Sequence, residues 1–596
     1  MEVLPSHHIF VWDFFMKVLP SHHIFGFRQS YSTTQRTRRS RHQMIITIVY
    51  AKIIQQGEHM EKLFHSSPIY QIYPRSFCDS NGDGIGDIQG IISKLDYLRD
   101  LGVKILWLSP IYKSPLFDMG YDVADYYSIH PDYGTMEDFD ELLEEAKKRG
   151  MRIVMDLVVN HTSSEHEWFK KALKGEQPYH DYYVFKKGKG PKKAPNNWSS
   201  MFTGSAWKYV EGLDEWYLHL YAEQQPDLNW HNEDVVQEVE KILRFYLDKG
   251  VYGFRCDVIN QIYKESYEDG KGIFPSGRGQ EHYLMTEGNH RILRRFYDDV
   301  FSHYDCVVIG ETFNVDVQNG LRFIQNRELD MFFTFEHMDV TKKLGGAFTK
   351  KFKPQNLKKV LYSYQKSIPW NANYFENHDQ QRSIEKFGDF EHFRVESAKA
   401  LATILLTLRG TPFIYQGEEL GTKNGPAKDP SLSQDCSVLM IDELCRKMHL
   451  PKALRMKITS NLDRDRCRAM MPWSEEDFGK PAWLPATADE PSFTAEEETK
   501  CPDSIYSYYK KLIALRYERE ELTKGSFEPA EAPASLFIYQ RVFENKRMLI
   551  VVNLSSKWAK LPAGLPIDSA EALVEQGSID EKGRISPYGA RVFAIK

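Results

Sequence analysis

VYGFRCD, residues 251–257, decides how this chain folds. It is a short apolar run of strand length that ends in two charges. Arg255 and Asp257 stand two apart, and so on one face of an extended segment. Seven more runs share its length and character: IYQIY (69–73), KILWL (104–108), RIVMDLV (152–158), CVVIG (306–310), LDMFFTF (329–335), NANYFEN (371–377) and PFIYQG (412–417). Longer amphipathic stretches separate them. In MEDFDELLEEAKKRG (136–150) apolar residues recur at three- and four-residue steps and Gly150 ends the run. Eight strands with helical crossovers predict an α/β fold, a (β/α)8 TIM barrel.

Two stretches break this rhythm. Residues 161–228 fall between the third and fourth strands and are rich in Trp, Tyr, Gly and Lys, which predicts an inserted subdomain. Its segment FKKGKGPKKAPNN (185–197) is too polar and too Gly/Pro-rich for a core and reads as a solvated loop. From residue 527, LFIYQRV, MLIVVNL and ARVFAI alternate with turns, which predicts a C-terminal antiparallel β domain over 527–596. The barrel then occupies 60–160 and 229–526. Residues 1–59 lack this patterning. VLPSHHIF occurs twice, at 3–10 and 18–25, and the basic run 36–42 precedes MIITIVYAKII (44–54), which is too short to cross a bilayer. An upstream start, with Met60 beginning the folded chain, is the expectation.

Composition narrows the function. Hydrophobic residues at 42% and charged residues at 27% describe a soluble globular protein. A net charge of −6 argues against a nucleic-acid partner, which calls for a basic surplus. Seven scattered cysteines without a CxxC pair fit a reducing compartment and no zinc site. A cytoplasmic monomer without membrane partner or organic cofactor is expected.

In such a barrel the chemistry lies where strands end. The third strand ends in Asp156 and then Asn160-His161, the fourth in Arg255 and Asp257, the fifth in Glu311, and the seventh in Asn377-His378-Asp379. Acids on several strand ends of one barrel converge on one pocket, and buried acids are costly unless paired or functional. Glycosidic cleavage needs such a set: an acid to protonate the departing oxygen and a carboxylate to trap the oxocarbenium-like centre. Arg255 would keep Asp257 ionised, while Glu311, among other acids, should hold its proton. These residues permit hydrolysis without naming a sugar.

GFRCDVIN (253–260), GET (310–312), FENHDQ (375–380) and DLVVNH (156–161) resemble the four short blocks of the α-amylase family of glycoside hydrolases, in the right strands. With QPDLNW (225–230) between blocks, the pattern is similar to the oligo-1,6-glucosidase and dextran-glucosidase subfamily. The resemblance runs from about residue 64 to the C-terminus. It implies a retaining mechanism with Asp257 as nucleophile, Glu311 as general acid/base and Asp379 gripping sugar hydroxyls. Arg255, His161 and His378 match residues that hold the same glucose. Asp118 and Tyr121 match residues that close the pocket behind it and make such enzymes exo-acting. Leu116, Phe117 and Met119 around them are more apolar than the family's usual Asn and Asp, which leaves the leaving-group preference open. In DRDRCRAMMPW (463–473), a diverged form of another block, Arg468 is expected to pair with Asp118. Phe202 aligns with an aromatic sugar platform.

Asp79-Ser-Asn81-Gly-Asp83-Gly-Ile85-Gly-Asp87 places oxygen side chains at alternate positions among glycines, which suits a hard cation such as calcium. It resembles half an EF-hand without the twelfth-position Glu, and the alternative is a loop of Asx turns without an ion. In the subfamily this loop carries a structural calcium away from the catalytic pocket.

The leading expectation is an exo-acting α-glucosidase acting on α-1,6-linked isomalto-oligosaccharides. Val258 supports it, because in this subfamily Val after the nucleophile goes with α-1,6 preference and Thr or Ala with α-1,4. An α-1,4-glucosidase or sucrose-active sibling competes. A sucrose isomerase would carry Arg-Leu-Asp-Arg near residue 330, where this chain has RELDMFF, and typically Asn in place of Gln380. A trehalose-6-phosphate hydrolase would want phosphate-binding basic groups and a degraded metal loop. A non-catalytic transporter heavy chain would need a membrane span and usually lacks part of the acid set.

Overall fold

The computed structural model describes residues 62–272, 276–486 and 491–595. The expected extension 1–59, and Met60 with it, lies outside the described residues. All eight strands form: β1 (Ile69–Ile72), β2 (Ile105–Leu108), β3 (Arg152–Leu157), β4 (Gly253–Cys256), β5 (Val307–Glu311), β6 (Met331–Phe333), β7 (Ala372–Asn373) and β8 (Thr411–Tyr415). They pair in parallel in the order β6-β5-β4-β3-β2-β1-β8-β7, and β7 returns against β6, so the sheet closes into the (β/α)8 barrel. β1, β2, β4 and β8 are buried at every position, as strands covered on both faces must be. β7 is shorter than the stretch 371–377. Past Asn373 the chain leaves the ladder, and Asn377 bridges Gln380 in a turn instead.

The helices follow their local signals. α1 (Met136–Lys148) starts at a Thr135/Asp138 capping box, carries acids in its first turn and lysines in its last, and buries Phe139, Leu142 and Ala146. α2 (Glu233–Lys249) is capped by Asn232 and ends on left-handed Gly250. α3 (Arg394–Thr407) is buried all along from Ser397, because it lies between the barrel and the C-terminal sheet. Thr407 Oγ1 meets Tyr539 Oη at 2.6 Å, and Arg541 Nη1 donates to the Thr407 carbonyl at 2.8 Å.

Between β3 and β4 the strands Phe185–Lys186, Trp207–Val210 and Glu215–Leu218 form a small antiparallel sheet. It is tied to the barrel by buried charge. Lys264 Nζ lies 2.6 Å from Asp227 and 2.8 Å from Asn160 Oδ1, while Asp227 also accepts from Leu220 N and Asn160 Nδ2. At the C-terminus, Ser526–Pro529, Leu536–Phe543, Lys546–Asn553, Ala590–Ile595 and Glu571–Gln576 pair in that order as an antiparallel sheet. Among the described residues no helix is long and apolar enough to cross a membrane.

Candidate active site

Register builds the site. Gly310 on β5 pairs with Cys256 on β4, so Glu311 stands level with Asp257, and Asp156 on β3 pairs with Arg255. The close approach of β4 to β5 requires Gly253, where a Cβ would lie 1.9 Å from the Val307 carbonyl oxygen. Asp257 N–H continues the ladder onto the Leu157 carbonyl at 2.9 Å.

Arg255 is the centre of charge. Its Nη1 lies 2.7 Å from Asp156 Oδ1 and 2.6 Å from Asp257 Oδ1, and its Nη2 lies 2.7 Å from Glu311 Oε2. One guanidinium facing three carboxylates leaves the cluster short of positive charge, which favours a retained proton. Burial raises Asp257 above the ordinary aspartate range, Arg255 opposing it and the negative charge of Asp156 adding to it, so Arg255 does not hold Asp257 low as its place two residues away predicts. Burial likewise pushes Glu311 up to about 8; Arg255 opposes this and the negative charges of Asp257 and Asp379 add to it. Glu311 is thus a carboxyl that keeps its proton at neutral pH.

Asp379 is set the other way. Burial disfavours its charge, yet Arg468 Nη2 at 2.7 Å and Arg464 Nη1 at 3.5 Å outweigh that and hold it well below the usual carboxylate range. His378, 3.3 Å from Asp379, is pushed down to about 3 by burial, so it is neutral and the two arginines are the charges that count. Gln71 Nε2 faces His378 Nδ1 at 2.7 Å, which assigns the ring proton to Nε2. From there it reaches Tyr121 Oη at 2.7 Å, and Tyr121 donates to Asp156 Oδ2 at 3.1 Å. This relay fixes Tyr121 and His378 side by side, rings nearly parallel.

The expected Arg468–Asp118 pair does not form. Arg464 takes Asp118, Nη2 to Oδ1 at 2.8 Å, and is itself held by both oxygens of Asp435 at 2.7 and 2.9 Å. The cause is the tight turn Arg464–Cys467, started by the Asp463 side chain accepting from Asp465 N. It sends Arg464 to Asp118 and drops Arg468 beneath, where Nε donates to the His378 carbonyl at 2.7 Å. The block holds three arginines, and spacing cannot say which one the turn presents. Asp435 carried no signal at all, being remote in sequence and outside every motif.

His161 is buried with both ring nitrogens engaged: Nδ1 with Asn160 Nδ2 at 3.1 Å, Nε2 with the Tyr121 carbonyl at 2.9 Å. Gln225 Nε2 bonds that same carbonyl at 3.0 Å and Asp118 Oδ2 at 3.2 Å. Phe202 is half-buried, edge-on to Tyr221 at 5.6 Å and under the Arg464 guanidinium at 5.8 Å. Val258 adopts φ 37°, a left-handed conformation that strains a β-branched residue, and its N–H donates to Glu311 Oε2 at 3.1 Å.

The loop 79–87 is a series of Asx turns. Asp79 accepts from Asn81, Gly82 and Gly84 N–H, Asn81 from Asp83, Asp83 from Ile85, and Asp87 caps the next helix at Gly90 N. Among the described residues no three His, Cys, Asp or Glu side chains form a metal site by themselves. A cation here would need the Asn81 amide and the Ile85 carbonyl as well, an all-oxygen set of the kind calcium takes.

Two strand-end carboxyls sharing one guanidinium, both raised by burial, with a further acid clamped by arginines, make the set that glycosidic cleavage needs. The family model "Alpha amylase, catalytic domain" matches residues 71–525. An oligo-1,6-glucosidase from Parageobacillus thermoglucosidasius is 41% identical over 89% of this chain and 98% of its own. A trehalose-6-phosphate hydrolase from Bacillus subtilis is 40% identical over 88% and 97%. Among solved structures, trehalose-6-phosphate hydrolase from Bacillus licheniformis superposes with TM-score 0.82 at 39% identity, covering 90% of this chain and 100% of that one. The trehalulose synthase from Pseudomonas mesoacidophila superposes with TM-score 0.83 at 35% identity, covering 89% and 99%. The chain belongs to the α-amylase family, and it is a glycoside hydrolase.

Proposed function

We propose that the enzyme is an exo-acting, retaining α-glucosidase that removes non-reducing terminal α-1,6-linked glucose from isomalto-oligosaccharides. The observation that carries this reading is Arg255 binding Asp257 and Glu311 with one guanidinium. A shared guanidinium fits the short carboxyl separation of about 5–5.5 Å that retaining enzymes use, against about 6.5–9.5 Å when a water must stand between. Glu311 protonates the glycosidic oxygen as the Asp257 carboxylate attacks the anomeric carbon, giving a glycosyl ester and a free leaving sugar. The Glu311 carboxylate then takes a proton from water as that water attacks the ester, releasing glucose with its α configuration and restoring the carboxyl. Asp379, kept ionised, accepts hydroxyls of the bound ring. Asp118 and Arg464, tied to each other, with Arg464 also reaching Asp379, form the closed end that an exo-acting pocket needs.

The α-1,6 preference rests on Val258 and on relatives named oligo-1,6-glucosidase. Relatives named trehalose-6-phosphate hydrolase support a second reading. Glucose release from isomaltose, maltose, sucrose and trehalose-6-phosphate, measured side by side, tests both. Isomaltose should give the highest kcat/KM; a preference for trehalose-6-phosphate would replace the first reading with the second. A cytoplasmic monomer completes the proposal. Asp79, Asn81, Asp83, Ile85 and Asp87 would hold a structural calcium. Chelation should then lower Tm by a few degrees, through lost native-state binding, and leave turnover at 25 °C intact. Immediate loss of activity with EDTA would give the metal a different role.

A further inference from the structure

We propose that Asn260 is a positioning residue that sets the separation between Asp257 and Glu311. It lies three residues past Asp257, in the turn Ile259–Gln261, and is fully buried. Its carboxamide meets both backbone groups of Phe313, two residues past Glu311. Nδ2 donates to the Phe313 carbonyl at 2.8 Å, and Oδ1 accepts the Phe313 N–H at 3.3 Å. Met285 N–H donates to the Asn260 carbonyl at 2.8 Å and anchors the turn from behind.

This side chain pairs the two strand ends where the β4–β5 ladder has run out, its last partners being Cys256 and Gly310. Two other links cross the same gap: Val258 N–H on Glu311 Oε2, and Arg255 on both carboxylates. Both of those involve a reacting carboxylate, so they change when Glu311 gives up its proton or Asp257 bonds to the sugar. The Asn260–Phe313 pair involves neither. It therefore holds the two main chains at one spacing through both halves of the reaction. Being buried with both ends of its amide occupied, Asn260 cannot itself be a sugar contact. Carboxyl separation decides whether attack is direct or through water, and a displacement of about 1 Å can cost roughly 10²-fold.

The proposal rests on Asp257 and Glu311 being nucleophile and acid/base. Asn260→Asp is nearly isosteric; it keeps an acceptor for Phe313 N–H but turns an oxygen toward the Phe313 carbonyl. Asn260→Ala removes both bonds. For each folded variant kcat should fall roughly 10- to 100-fold with KM within about threefold. The basic limb of the kcat–pH profile should also move up, because a displaced Glu311 loses the Val258 N–H that favours its ionised form. Folded fraction and Tm are read on the same samples, and Asn260→Asp decides alone if the alanine variant does not fold. Unchanged kcat, or a loss that tracks folded fraction with an unmoved basic limb, overturns the proposal. Glu311→Gln is assayed beside them: if it remains active the underlying roles are wrong and the proposal goes with them, whereas an inactive Glu311→Gln beside fully active Asn260 variants sinks the positioning role alone.

Discussion

Asp257 and Glu311 differ in what surrounds them, and that difference predicts how activity depends on pH. In the proposed roles Asp257 acts ionised and Glu311 protonated in the free enzyme. Both are raised by burial, Glu311 to about 8. Activity should therefore follow a bell, with a basic limb near 8 as Glu311 ionises and an acid limb above the ordinary aspartate range. Glu311→Gln should remove the basic limb and lower kcat at least ~10³-fold, as should Asp257→Ala without any limb assignable to residue 257. A basic limb that survives in the residual activity of Glu311→Gln belongs to another group. Val258 carries a second expectation. Its N–H binds Glu311, and its side chain follows the proposed nucleophile, where a leaving sugar would begin. A branched apolar wall packs on the extra methylene of an α-1,6 link, and a hydroxyl there can bond an α-1,4 leaving sugar. Val258→Thr should shift the isomaltose-to-maltose kcat/KM ratio toward maltose by roughly 10- to 100-fold, and an unmoved ratio removes Val258 as the determinant. The acids at strand ends were legible because a barrel fixes where strand ends meet. The Asp118 partner was not, because a tight turn and not a period decides between Arg464 and Arg468, and Asp435 answers to no pattern in its neighbourhood.

Elements read well from sequence where a period or a cap dictates them, as in α1 with its Thr135 cap, and poorly where tertiary contacts do. β7 keeps two ladder residues of the seven-residue stretch 371–377, because its later residues are drawn into the turn that delivers His378 and Asp379. The helices Cys436–Lys447 and Lys452–Leu462 fall outside every stretch singled out in the sequence, yet Asp435, the N-cap of the first, meets Arg464. The inserted subdomain is held by a buried ion pair, Lys264 with Asp227, both shielded from water. Removing one member of such a pair strands the other charge, which costs about 3–5 kcal/mol, whereas removing both costs far less. Lys264→Met should therefore destabilise by that amount in urea unfolding, and adding Asp227→Asn should restore more than half of the loss. Equal stabilities for the single and double variants would show that Asp227 is not left charged when Lys264 is gone.

At the scale of the whole molecule, buried carboxyls outside the site set how stability depends on pH. Behind the catalytic pocket, Glu376, Glu418 and Glu419 are buried together beside Arg382, which pairs with Glu376 at 2.8 Å. Glu419 accepts from Tyr70 and Tyr97, and Glu418 from Tyr415 N–H and Tyr509 Oη. Burial raises Glu418 well above the ordinary range, the negative charge of Glu376 adding to it, and burial pushes Glu419 up to about 7. An unfolded glutamate ionises near pH ~4.3, so above that value the native state holds a proton that the unfolded state lacks. For a raised acid the linkage runs against the fold: stability falls as pH rises, by about 1.4 kcal/mol per pH unit for each such proton, until the folded group itself ionises. The Glu419 share of that slope ends near 7, and the Glu418 share ends where Glu418 ionises in the folded protein. Asp379 and Asp435, held low by arginines, are ionised in both states there and contribute no slope. Glu418→Gln supplies a permanently neutral group of the same shape, able to accept from Tyr415 N–H and donate to Tyr509 Oη. From about pH 5 upward the variant should lose stability less steeply than the wild type, by about 1.4 kcal/mol per pH unit until Glu418 itself ionises in the folded protein, read from urea midpoints with unchanged m-values. Parallel slopes would mean that Glu418 is already ionised in the native protein, and that Arg382 neutralises more of this cluster than its single contact with Glu376 implies.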